Sequence, residues 1–196
     1  MRLRGTPLAT TVLAVLAAGA LSGCGSSATS ATATNGLAAK PVIVAVRSSA
    51  VHRNTLAAVY TCDGRDISPP LSWGTFPSGV QELALFVLGA SRGKKRTVVS
   101  IEWGVAGIKP GLRSLRAGEI PRGAFTVTNS RNSKHYSICP APGQSEVYNF
   151  AVLALPRGAR ATPSIAGPAL FQNLTGSNPQ YESPAYGAVT STYKRP

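Results

Sequence analysis

Side chains able to do chemistry are few in this 196-residue chain. It has three cysteines (Cys24, Cys62, Cys139), two histidines (His52, His135) and 7 acidic residues against 20 Lys and Arg. There is no Cys-x-x-Cys pair and no histidine cluster, so the residue types argue against a metal centre. No serine sits in a nucleophile elbow and no Ser/His/Asp arrangement is apparent, so the chain reads as non-enzymatic and without a cofactor. Two stretches concentrate unusual residues: Tyr60-Thr-Cys-Asp-Gly-Arg-Asp-Ile-Ser-Pro-Pro-Leu-Ser-Trp73 and Tyr136-Ser-Ile-Cys-Pro-Ala-Pro-Gly143. Asp63-Gly64 signals a tight turn, and Pro69-Pro70 locks an extended segment from which Leu71 and Trp73 alternate inward as in an edge strand. A third is Ser91-Arg92-Gly93-Lys94-Lys95-Arg96, four positive charges in five residues. It reads either as a solvated turn or as a basic surface of Arg92, Lys94, Lys95 and Arg96 attracted to anionic headgroups or envelope polymers. Such attraction is worth roughly 1 kcal/mol per basic residue near an anionic surface.

The elements that must position these groups begin after a leader. Arg2 and Arg4 precede an apolar stretch, Leu8 to Leu21, that is short and rich in small residues, and Leu21-Ser22-Gly23-Cys24 closes it. This is the pattern of a bacterial lipoprotein signal, residues 1–23, with Cys24 acylated (diacylglycerol, palmitate) as the mature N-terminus. The alternative is a plain secretory signal with an incidental cysteine. The expected location is the extracytoplasmic face of the cell membrane, since two or more acyl chains anchor stably. Removing residues 1–23 takes away two of the 20 basic residues, leaving 18 against 7 acidic ones, a net of +11. Nucleic acid is not an expected partner of an exported lipoprotein. Residues 24–44 carry the lipid and a Ser/Ala/Thr-rich flexible linker, and residues 45–196 suit one domain.

Within that domain, short β-prone runs recur between Gly/Pro/Ser/Asn turns. They include Pro41–Val46, Ala57–Tyr60, Glu82–Leu88, Thr97–Val105 and Val147–Leu155. Arg160 to Asn173 is the best helical candidate, interrupted by Pro163 and Pro168. Regular strand spacing with turn punctuation predicts a mainly β sandwich or barrel with little helix.

The two motif-bearing stretches resemble the phosphatidylethanolamine-binding protein family in its bacterial, Raf kinase inhibitor-like form. The resemblance covers roughly residues 45–196 and takes in Pro77-Ser-Gly79, Ala84-Leu85, Glu102-Trp103, Tyr148–Leu155 and Thr192–Arg195. It implies a β-sandwich in which a large central antiparallel sheet packs on a smaller one. With Cys24 acylated, Cys62 and Cys139 remain as an even pair in an oxidising compartment, each within a family motif. A disulfide is therefore expected over two buried thiols. The resemblance also implies a small phosphate-accepting pocket made by an Asp-Pro-Asp loop, the histidine of a His-Trp pair, a Gly-Pro-Cys-Pro-Pro turn and a second histidine. The matching positions here are Gly89-Ala90-Ser91, Glu102 before Trp103, Ser137-Ile138 before Cys139-Pro140, and Glu146.

The candidate pocket is thus Gly89, Ser91, Glu102, Trp103, Tyr136, Cys139, Pro140 and Glu146. Two imidazole donors have become carboxylates, and carboxylates repel phosphate. If Glu102 and Glu146 face one pocket, they suit an amine, a guanidinium or another cation. Otherwise each is a satisfied rim residue. Trp73 and Trp103 read as core, with Trp103 able to wall the pocket. Two functions follow. One is a membrane-anchored, non-enzymatic binding protein for a small polar or cationic ligand. The other is an envelope interaction protein with a vestigial pocket, docking a protein or anionic polymer through its basic surface.

Overall fold

The computed structural model describes residues 40–92, 96–176 and 182–196. The expected signal peptide, the lipid-bearing Cys24, the linker as far as residue 39, and Lys94 and Lys95 of the basic loop lie outside the described residues.

Strands follow one another as β1 (Val42–Ile43), β2 (Val46–Arg47), β3 (Val51–His52), β4 (Thr55–Leu56), β5 (Leu71–Trp73), β6 (Leu83–Arg92), β7 (Thr97–Ile108), β8 (Ser114–Leu115), β9 (Phe125–Val127), β10 (Ser145–Ala154) and β11 (Ala185–Lys194), with one helix, α1 (Gly167–Thr175). The large sheet runs β3-β4-β11-β10-β6-β7-β9, with β1 alongside β11, and the small sheet runs β2-β5-β8. The long central strands β10, β6 and β7 are antiparallel, whereas β1 and β4 lie parallel to β11. The mainly β, two-sheet expectation therefore holds.

The apolar runs that form β6 and β7 are nearly continuous because both faces of the large sheet are covered. Leu83, Leu85 and Val87 pack with Trp73, Leu71 and Leu115 of the small sheet. Ala84, Phe86 and Leu88 face the other way, onto Leu170 and Leu174 of α1. Phe86 meets Phe171 edge to face at 5.3 Å between ring centroids, an arrangement aromatic quadrupoles favour. Strand alternation thus divides one hydrophobic stretch between two cores.

Some expectations need correction. The domain takes in a few residues before 45: Val42 and Ile43 pair with Ala185 and Tyr186, and Val44 is buried. Ala58–Tyr60 is a single 3-10 turn rather than a strand, closed by the Thr61 hydroxyl on the Ala58 carbonyl at 2.8 Å. Strand β5 is the middle of the small sheet, not an edge, although Leu71 and Trp73 do point inward. Pro168 does not break the helix. It sits in the first turn of α1, where its missing N–H leaves no helical bond unmade.

Candidate functional site

Glu102 reaches its place through an irregularity in the sheet. The β6–β7 register steps from Leu88↔Ile101 to Val87↔Trp103, so Glu102 is an extra residue with no partner across the ladder. Such a bulge bends the strand and re-aims a side chain. Here it leaves Ile101 in the helix-side core and Trp103 in the small-sheet core. The Glu102 carboxylate lies over Gly89: a Cβ added there would stand 2.8 Å from Oε1 and 3.1 Å from Cγ. Glycine at 89 is therefore what admits the carboxylate.

Glu102 is buried, with 6% of its surface exposed, and its charge is compensated on both oxygens. The Ser100 hydroxyl donates to Oε1. The Arg131 guanidinium donates from Nη2 to Oε2 at 2.6 Å, the guanidinium itself being more than half exposed. Compensation of this kind is what a buried carboxylate requires. The loop after β9 is built to deliver that arginine. The buried Asn129 carboxamide donates to the Glu102 carbonyl at 3.0 Å and accepts from the backbone N–H groups of Arg131 and Ser133 at 2.9 Å each. Ser130 binds Ile101 twice, its hydroxyl accepting at 2.8 Å and its N–H donating at 2.9 Å. The backbone groups loosened by the bulge are thus satisfied by this loop.

Across Gly89 on the other side lies Tyr148 of β10, whose hydroxyl donates to Glu146 Oε2 at 2.8 Å. Burial raises the Tyr148 hydroxyl well above the ordinary phenol range, followed by its bond to Glu146 and the charges of Glu146 and Glu102. It remains a neutral donor to the Glu146 carboxylate. On β11, opposite Tyr148, Ser191 is fully buried, and its Oγ has no hydrogen-bond partner among the described residues. Of the two carboxylates, Glu146 bonds the Tyr148 phenol, while Glu102 bonds Ser100 and Arg131.

The remaining predicted residues divide between wall and frame. Trp103 and Tyr136 are buried core residues in edge-to-face contact at 5.6 Å, and the Tyr136 hydroxyl donates to the Tyr60 carbonyl at 2.9 Å. Burial, and then the Asp66 charge, push that hydroxyl up as well. Cys62 and Cys139 are bonded, with Cα atoms 5.3 Å apart and a sequence separation of 77. The bridge ties the two motif-bearing stretches together, helped by the Cys62 N–H on the Ile138 carbonyl at 3.1 Å. The Pro140 carbonyl accepts from Arg195 at 3.3 Å. Ser91 shares the Gly89 face by strand alternation, near the end of β6, and pairs with Val98. Arg92 and Arg96 flank the hairpin end beyond it, Arg92 paired with Thr97 and Arg96 exposed.

Sequence reasoning missed two contributors. Arg131 is the partner of Glu102, and the only available signal was the turn-forming run Asn129-Ser-Arg-Asn-Ser133. Asp63, read only as a turn residue, accepts from the Tyr193 hydroxyl at 2.6 Å and from Arg195 Nε at 3.1 Å. The tyrosine bond first, then the arginine, hold its carboxyl below the ordinary range. It clasps the end of β11 beside the disulfide.

With this geometry in view, comparisons with known proteins point one way. A family profile described as phosphatidylethanolamine-binding protein matches residues 46–189. A UPF0098 protein of Mycobacterium tuberculosis is 36% identical over 110 residues, 55% of this chain and 49% of the relative. One from Methanothermobacter thermautotrophicus is 33% identical over 109 residues, 53% of this chain and 70% of the relative. The match thus spans about half the length of the mycobacterial relative. In fold, the chain is similar to a phosphatidylethanolamine-binding protein homolog, CT736 of Chlamydia trachomatis. The TM-score is 0.65 at 22% identity, over 79% of this chain and 99% of that one. It is similar also to YbcL of Escherichia coli, with a TM-score of 0.64 at 21% identity, over 78% and 99%.

Proposed function

This chain belongs to the phosphatidylethanolamine-binding protein family, and we propose that within it the chain is a non-enzymatic receptor, anchored through lipid on Cys24, whose remodelled pocket takes a small amine or guanidinium. One observation carries the reading. Glu102 is a buried carboxylate that already holds a guanidinium, that of Arg131, on a loop whose arginine is half in solvent. A free cation of similar shape would exchange with Arg131 without a change of backbone. Glu146 and the neutral Tyr148 hydroxyl supply further polar contacts, and the unpaired Ser191 hydroxyl marks one more unused group in the same row. The charge arrangement is opposite in sign to what a phosphate needs. The cysteines are joined to each other and the buried tyrosines stay protonated, so no activated nucleophile stands at the site.

A second reading has its own support. Glu102 fills the space over Gly89 and is satisfied by Ser100 and Arg131 without any ligand. That internal closure suits a vestigial pocket on an envelope interaction protein, with the basic residues Arg92, Lys94, Lys95 and Arg96 meeting an anionic polymer or a protein.

Titration with methylguanidinium separates the two. Receptor function requires saturable binding that Glu102→Gln weakens at least tenfold and that Arg131→Ala, by removing the internal competitor, tightens. No saturable binding, or binding indifferent to Glu102→Gln, leaves the interaction reading. Anchoring has a separate test. Cys24→Ala should release the protein from the membrane fraction or leave it uncleaved, and unchanged detergent partitioning would refute acylation.

A further inference from the structure

On the face of the large sheet away from Glu102, a groove of about 470 Å³ lies between the strands and α1. That volume falls within the roughly 300–1,000 Å³ typical of small-molecule sites. Leu88, Ala151 and Leu153 line it from the sheet, and Phe171 and Leu174 line it from the helix. Apolar side chains continue onto its rim, where Val99 is 60% and Tyr186 is 41% exposed. Among the described residues its lining carries one charge, the carboxylate of Glu182.

That carboxylate is exposed at the mouth of the groove and, like Asp66, Glu119 and Glu146, makes no salt bridge among the described residues. The chain has 20 Lys and Arg against 7 Asp and Glu. The salt bridges among the described residues use Glu102, Glu82 and Asp63, but not Glu182. A carboxylate at the mouth of an apolar groove is complementary to a ligand that brings its own cation and its own hydrocarbon. We propose that this groove binds a single-chain amphiphile with a cationic head, its tail along Leu88, Leu153, Phe171 and Leu174 and its ammonium beside Glu182. Burying hydrocarbon there strengthens binding about fourfold per methylene, so selection among chain lengths belongs to the tail and selection by charge to Glu182. The site lies on the opposite sheet face from Glu102 and does not depend on the reading given for that pocket.

The test is calorimetric titration, below the micellar range, of the full chain carrying Cys24→Ala with decylamine and with decanoate. The expected result is a decylamine site, still present in the Glu102→Gln protein, at least tenfold tighter than for decanoate. Glu182→Gln should erase that preference. Ala188→Trp, which puts an indole into the groove from an exposed strand position, should weaken decylamine tenfold or more at an unchanged thermal midpoint. Thr175→Trp does the same from the end of α1 should the strand variant fold poorly. Glu102→Gln should leave this site's affinity as it was, any decylamine binding lost with Glu102 belonging to the pocket. Equal affinity for the two amphiphiles would overturn the proposal, as would decylamine binding untouched by both Glu182→Gln and the tryptophan variants.

Discussion

Replacing Cys62 and Cys139 together by alanine should lower the thermal midpoint of the protein by about 8–16 °C, at about 2–4 °C per kcal/mol for a domain of this size. The bridge spans 77 residues and joins the turn after Tyr60 to the turn before β10. In the chain-entropy account, a loop of that length contributes about 4 kcal/mol. The local hydrogen bonds that remain, chiefly the Cys62 N–H on the Ile138 carbonyl, are worth only about 1 kcal/mol each. Calorimetric melting of oxidised wild type beside the double variant measures the difference. A shift under 3 °C would mean that the Asp63 clasp on Tyr193 and Arg195, rather than the disulfide, holds these turns.

The second large effect concerns Gly89. Aspartate is the residue expected there from the family pattern, yet Gly89→Asp should destabilise this protein by about 3 kcal/mol, the low end of the cost of leaving a buried charge uncompensated. Its Cβ would stand 2.8 Å from Glu102 Oε1, and its carboxylate would join one that is already buried. Glu102 cannot swing aside without leaving Ser100 and Arg131. The same Gly89→Asp made together with Glu102→His should recover most of the loss, because an imidazole beside a carboxylate is attractive. Denaturant midpoints of the two variants decide it. A Gly89→Asp protein as stable as wild type would show that Glu102 is mobile and that the pocket is not closed as described.

The coupling between positions 89 and 102 explains what could and could not be read from the sequence. Leu83 to Leu88 announced a strand buried on both faces, and the stretches around Cys62 and Cys139 announced the family and the bridge. The sequence also places Gly89 and Glu102 where the family resemblance expects Asp and His. That Gly89 makes room for Glu102 was not legible, since it depends on a register slip between Val87 and Leu88. Arg131 was invisible for the same reason: an arginine on a polar turn looks solvated unless the fold supplies a buried carboxylate within reach. Ala58 to Tyr60 misled in the other direction. Its apolar composition suits a strand, but the Thr61 hydroxyl and the Tyr60 and Thr61 N–H groups close it into a turn on the Ala57 and Ala58 carbonyls. Pro168 reads as a helix breaker in sequence, although in the first turn of a helix it costs no hydrogen bond.

The central claim is that the family pocket has changed the sign of charge it accepts. Its most direct test is a paired calorimetric titration of the unaltered protein with methylguanidinium and with inorganic phosphate, repeated on a Glu102→His, Glu146→His variant. The account predicts that the unaltered protein binds methylguanidinium at least tenfold tighter than phosphate and that the double variant reverses the order. Tight phosphate binding by the unaltered protein, lost when Arg131 is replaced by alanine, would contradict it and make the arginine, not the carboxylates, the ligand-binding group.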